Sequence, residues 1–104
     1  MQLTRDADKL ACSMYKSYLQ KRKAGMSKIN ARHFEIDETK SYSLCSDWDK
    51  SDIISTVAEL KNAGFGTMYY GGGFFANESF IIYMENRFKN GIKEVTDFVA
   101  KFIP

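Results

Sequence analysis

Apolar side chains recur at Ala7, Leu10, Ala11, Met14, Tyr15, Tyr18 and Leu19. These steps of three and one place them along one face of a helix. Thr4 stands where an N-cap is needed, and Asp6 and Asp8 suit the positive end of the helix dipole. Lys21, Arg22 and Lys23 suit its negative end, and Gly25 is a stop, so a first helix is predicted over 4–24. Ser27 suits the cap of a short second helix over 27–34, with Ile29 and Phe34 turned inward. Residues 36–40 are polar and read as loop. Ser41-Tyr42-Ser43-Leu44 alternates, as a short strand does.

The stretch from Ser46 to Asn77 organises this pattern. Ser46 reads as an N-cap, with Asp49 three residues on as a capping box with a shorter acid. Trp48, Ile53, Val57 and Leu60 share one face of a helix over 47–63. Its solvent face would carry Asp49, Lys50, Asp52, Ser55, Thr56, Glu59 and Asn62. Gly64 stops that helix. Phe65 to Tyr70 and Phe74 to Ala76 flank Gly71-Gly72-Gly73, a hairpin signal over 65–76. Asn77 caps a helix over 78–89, with Phe80, Ile81, Tyr83, Met84 and Phe88 on its buried side. Asn90-Gly91 breaks it. A last helix over 92–102 gathers Ile92, Val95, Val99 and Phe102 on one face, with Phe98 beside them. Leu10, Met14, Tyr18, Ile53, Val57, Leu60, Tyr83 and Phe88 are the expected core. The class is mainly α with a small β hairpin (α+β), and the order of elements is that of a winged helix-turn-helix in one domain over 1–104.

Composition adds little to this. With 44% hydrophobic and 14% aromatic residues, the 104-residue chain can build a core without a metal or disulfide staple. Cys12 and Cys45 have no ligand spacing and read as reduced thiols of a cytoplasmic protein. No signal peptide or membrane span is expected. The net charge of +2 names no partner, but its distribution is uneven. Residues 1–36 carry a net +5 and residues 37–63 a net −3.

The candidate chemistry is correspondingly sparse. His33 is the only histidine and has no cysteine or carboxylate at ligand spacing, so no metal is expected. The glycine run lacks the Lys-Ser/Thr and helix start of a phosphate cradle, and reads as a hairpin tip. No nucleophile, base and orienting group fall into a credible set, so neither enzyme activity nor a cofactor is expected. The central helix is a poor reader of DNA. Asp47, Asp49 and Asp52 occupy its leading turns, where carboxylates would approach phosphates. The hairpin has no Lys or Arg from Phe65 to Phe80 to contact a DNA backbone.

Two motifs resemble a known family. Ser46-Asp47-Trp48 through Ala58-Glu59-Leu60-Lys61-Asn62-Ala63-Gly64-Phe65 resembles the helix and E-L-x-x-A-G-[FLY] step of small winged-helix proteins of Firmicutes and their phages. Tyr83-Met84-Glu85-Asn86-Arg87-Phe88-Lys89-Asn90-Gly91 and Asp97-Phe98-Val99-Ala100-Lys101-Phe102-Ile103-Pro104 are similar to their C-terminal signature. Over about residues 3–104 the chain is similar to YjcQ-like winged helices. It departs from them at Ala76-Asn77-Glu78-Ser79-Phe80, where those proteins have Leu-Thr-x-x-Gly. The resemblance implies the fold and a prophage or mobile-element setting, and no catalytic residue.

Two binding functions follow as expectations. The first is a nucleic-acid-binding, regulatory protein that contacts DNA phosphates through Lys21, Arg22, Lys23, Lys28 and Arg32. The second is a protein-binding inhibitor of a host defence nuclease, of the anti-CRISPR type. It would present Asp47, Asp49, Asp52 and Glu59 to a basic, nucleic-acid-binding surface. The apolar C-terminal helix adds the expectation of a homodimer to which it contributes.

Overall fold

The computed structural model describes residues 3–102. The chain is mainly helical with a small antiparallel sheet. Helix α1 (Arg5–Lys23) starts on Thr4, whose Oγ1 accepts from the Ala7 amide at 3.2 Å. Its expected stripe is buried except for the half-buried Leu19. Burial also extends around the helix, since Cys12 and Ser13 are out of solvent as well.

The segment after α1 corrects the expected helix over 27–34. Only α2 (Lys28–Ala31) is helical, capped by Ser27, and His33–Phe34 form strand β1. The sheet order is β1-β3-β2, so β1 extends the hairpin of β2 (Gly66–Tyr69) and β3 (Gly73–Ala76) to three strands. Phe34 pairs with Phe74, and both are fully buried. That burial decides between strand and helix, because a strand sets Phe34 inside while His33 faces out. Ile29, expected inward, is 58% exposed.

Residues read as loop are helix α3 (Ile36–Lys40). Residues read as a strand make a 3-10 turn over Ser43–Cys45. Lys40 joins the two segments. Its Nζ donates to the carbonyls of Cys45 and Ser46 at 3.3 Å, and to that of Trp48. One ammonium thus ties the end of α3 to the segment that precedes α4. Helix α4 (Lys50–Asn62) begins later, with Asp49 in the capping position. Trp48 therefore precedes the helix and is half-buried.

Ile53, Val57 and Leu60 are buried as expected. Thr56 is buried too, although it was assigned to the solvent face; its Oγ1 donates to the Asp52 carbonyl at 2.7 Å, which satisfies it. Gly64 ends α4 with φ 86°, letting the amides of Gly64 and Phe65 turn back to the carbonyls of Lys61 and Leu60. At the hairpin tip Gly71 and Gly72 take φ 84° and 89°.

Helix α5 (Glu78–Arg87) is capped by Asn77, which accepts from the Phe80 amide at 3.0 Å. Phe80, Met84 and Phe88 are buried, whereas Ile81 and Tyr83 are only half-buried. Helix α6 (Ile92–Ala100) packs against α1, with Val95 and Val99 in the core. Of its stripe, Ile92 is exposed, and Phe98 and Phe102 are half-buried. The last two residues of the tail signature, Ile103 and Pro104, lie outside the described residues. Among the described residues no helix is long and apolar enough to cross a membrane.

Two predictions follow from this packing. Leu60 is fully buried. Leu60→Ala is expected to lower the unfolding free energy by about 2–5 kcal/mol in urea titrations. A loss below about half a kcal/mol, within the range of ordinary surface substitutions, would contradict the packing of α4.

The second concerns the free, buried thiols. Burial pushes Cys12 up to about 12, against the lowering effect of Arg87, and Cys45 up to about 11, against that of Lys40. Both values lie above the unfolded thiol value of about 8.5. The stabilising contribution is therefore fully present below that value and is lost as pH rises through the folded ones. Native protein at pH 8 is expected to react slowly with a thiol reagent and urea-unfolded protein fast. Equal rates would overturn the assignment.

Candidate functional site

The expected basic set separates into two groups. Lys21 belongs to the interior. Its Nζ lies 2.7 Å from Glu38 Oε1, donates to the His33 carbonyl at 2.9 Å, and sits 4.4 Å over the Phe34 ring. Glu38 Oε2 also accepts from Ser17 Oγ at 2.7 Å and from the Tyr42 hydroxyl at 2.6 Å. Burial and the neighbouring Glu38 charge push the Tyr42 hydroxyl well above the usual phenol range. Lys21 is thus spent on joining α1, β1 and α3. Glu38, the centre of this cluster, gave no sequence signal because its segment read as loop.

Arg22, Lys23 and Lys28 are exposed at the corner between α1 and α2. Arg22 donates from Nη1 to the Met26 carbonyl at 2.8 Å, bracing the turn. Arg32 is half-buried, with its guanidinium 5.0 Å over the Phe75 ring, and its buried Nε has no acceptor.

The acidic set is more nearly gathered. Asp47, Asp49 and Asp52 are exposed and Glu59 is half-buried. Asp52 and Glu59 line an open pocket of about 350 Å³ with Asp6, Trp48, Ser55 and Thr56. Thr4 Oγ1 donates to Glu59 Oε1 at 2.6 Å, which fixes the start of α1 beside α4. Asp6 and Trp48 are the members that sequence reasoning missed. Asp6 had a sufficient local role at the start of α1, and Trp48 was placed on the apolar face of α4. The lysine in the leading turn, Lys50, lies 3.8 Å from Asp37, and both side chains are well exposed. Among the described residues no three His, Cys, Asp or Glu side chains gather closely enough to hold a metal ion.

Beside this face, Tyr70 at the hairpin tip is fully exposed. Gly72 packs against Ile36 and Ile54, so the tip leans on α3 and α4. The Tyr69 hydroxyl donates to Glu35 Oε1 at 3.2 Å. Burial and then the Glu35 carboxylate push it up to about 12.

The position of Lys21 generates a prediction. Its side chain is 16% exposed and that of Glu38 is 26% exposed. Lys21→Met is expected to cost about 1–3 kcal/mol of stability, because it leaves a largely buried carboxylate without its cation. Lys23→Ala, at an exposed site, should stay within about 0.5 kcal/mol. Equal effects in thermal or urea unfolding would contradict the structural role of Lys21. Comparison with known protein families, curated proteins and solved structures finds no match to this chain.

Proposed function

We propose that the chain is a non-enzymatic winged-helix protein, of the YjcQ-like kind, that binds a basic surface of a nucleic-acid-binding protein through α4. The fold part of this reading is supported by the order α1, β1, α3, α4, β2, β3, with the short α2 inserted between α1 and β1, and by the sheet order β1-β3-β2. In a winged helix these positions make α3 and α4 the helix-turn-helix and β2–β3 the wing. The tip resting on Ile36 and Ile54 fits that arrangement.

One observation carries the binding part: the open pocket that Asp6, Asp52 and Glu59 line together with Trp48. Carboxylates accept charge-assisted hydrogen bonds from guanidinium and ammonium groups, and an indole face attracts the same cations. A duplex would meet the opposite field, because three aspartates stand at the leading end of α4. The DNA-binding reading retains Arg22, Lys23 and Lys28 as an exposed cationic corner.

Paired variants test the choice. In affinity capture from a host lysate digested with nuclease, the wild type is expected to retain a basic protein. Asp49→Asn/Asp52→Asn should lose it, and Arg22→Ala/Lys23→Ala/Lys28→Ala should keep it. With a DNA duplex as the probe, the aspartate variant should bind more tightly than the wild type. Nuclease-sensitive retention that fails only in the cationic variant would replace this reading with the DNA one. The salt dependence of duplex binding would then flatten by about one unit of slope per phosphate contact removed.

A further inference from the structure

A second surface stands apart from α4. Between α2 and α5 runs an open groove of about 500 Å³. Its α5 wall is Glu78, Ile81, Ile82 and Glu85, which recur at helical spacing and share one face. Its α2 wall contributes Lys28, Ile29 and Arg32. Ile29 is 58% exposed and Ile82 55% exposed. These are two of the largest apolar exposures among the described residues, and they lie in the same groove.

Charge and apolar surface are arranged together here. Isoleucines occupy both walls, while the charges on the α2 wall are all basic and those on the α5 wall all acidic. Among the described residues, none of these four charges forms an ion pair within the chain. Such a surface complements itself. A two-fold axis lying along the groove sets the α2 wall of one copy against the α5 wall of the other. Lys28 and Arg32 then face the partner's acids in both halves, and the isoleucines of the two copies meet between them. Self-complementarity of this kind is what an isologous dimer interface requires. Burying the isoleucines would supply the attraction, and the opposed charges would set the register.

We propose that the α2–α5 groove is the seam of a homodimer, with a second copy of this chain as its occupant. This places the seam away from α6, where a dimer contact was expected. Val95 and Val99 of that helix are already in the monomer core. The inference does not depend on what α4 binds.

Sedimentation equilibrium on the full chain tests it. At about 100 µM, where a dimer of micromolar affinity is essentially complete, the wild type is expected at twice the 11.9 kDa chain mass. Lys28→Glu/Arg32→Glu alone and Glu78→Lys/Glu85→Lys alone should each sediment as monomer, because both halves of the seam then carry like charges. Mixed in equal amounts, the two variants should restore the dimer, since every facing pair is again opposite in sign. Ile29→Glu/Ile82→Glu supplies a second break at exposed positions, with circular dichroism to verify folding. Monomeric wild type at this concentration would overturn the proposal and leave the groove to another polypeptide. So would a dimer that survives Ile29→Glu/Ile82→Glu, or folded charge variants that stay monomeric when mixed.

Discussion

Six consecutive residues of α1, Leu10 to Tyr15, are out of solvent. A helix on a protein surface cannot bury six residues in a row, because they cover every direction around its axis. α1 is therefore surrounded at mid-length, in contact with α2, α4, α5 and α6. Small side chains at Ala7, Ala11, Cys12 and Ser13 leave room for neighbours to approach closely. At one end a bidentate Arg87–Asp8 pair links α5 to α1, and the guanidinium also lies 4.7 Å over the Phe98 ring of α6. Once α1 is enclosed in this way, the other helices can cover it only by packing around it, and the sheet is set at one end.

What fixes the sheet is a polar cluster. Glu38 receives hydrogen bonds from Ser17 and Tyr42 and the charge of Lys21, while Lys21 holds the carbonyl of His33 in β1. A partly buried carboxylate is costly unless its oxygens are satisfied, and here three donors, two from α1 and one from the turn after α3, satisfy them. β1 has two residues and could not order itself. Held by Lys21 and paired through Phe34 with Phe74, it aligns β3, and through β3 the hairpin beside α4. A cation that the charge pattern had assigned to DNA thus anchors the edge strand of the sheet, while the tip itself rests on Ile36 and Ile54.

Much of this fold was legible because its causes are local. The α1 stripe, the buried side of α4, the glycine-tipped hairpin and the caps Thr4, Ser27 and Asn77 each rest on residues within a few positions of one another. β1 was not legible, since two residues carry no periodicity. α3 was missed because its segment has no apolar period and Glu38 is anchored to Ser17 in α1, and the late start of α4 because Ser46 offers as good a cap as Asp49. The candidate site divides in the same way. Asp52 and Glu59 could be read from α4, but Asp6 joins them only when α1 and α4 pack. Trp48 joins them only because the helix begins after it. Ile29 was misread as well. Ala31 is the buried residue of α2, and two positions along a helix set Ile29 on nearly the opposite side.

The acids around α4 admit a purely structural origin, and separating the two origins tests how much remains for a partner. Carboxylates are favoured in the first turn of a helix by its dipole. That accounts for Asp52 in α4 and for Asp6 in α1. It does not account for Glu59, which sits near the C-terminal end of α4, where the dipole opposes an acid. The Thr4 hydroxyl offsets part of that cost by donating to one carboxylate oxygen. The resulting arrangement brings three carboxylates to one half-buried indole, with no cation among the residues lining the pocket. Stability alone would be served as well by a glutamine at 59, which could still accept from Thr4 without adding like charge beside Asp6 and Asp52. The negative charge at Glu59 is therefore the part of this face that local folding forces leave unexplained, and it is the part on which the proposed binding of a basic surface rests.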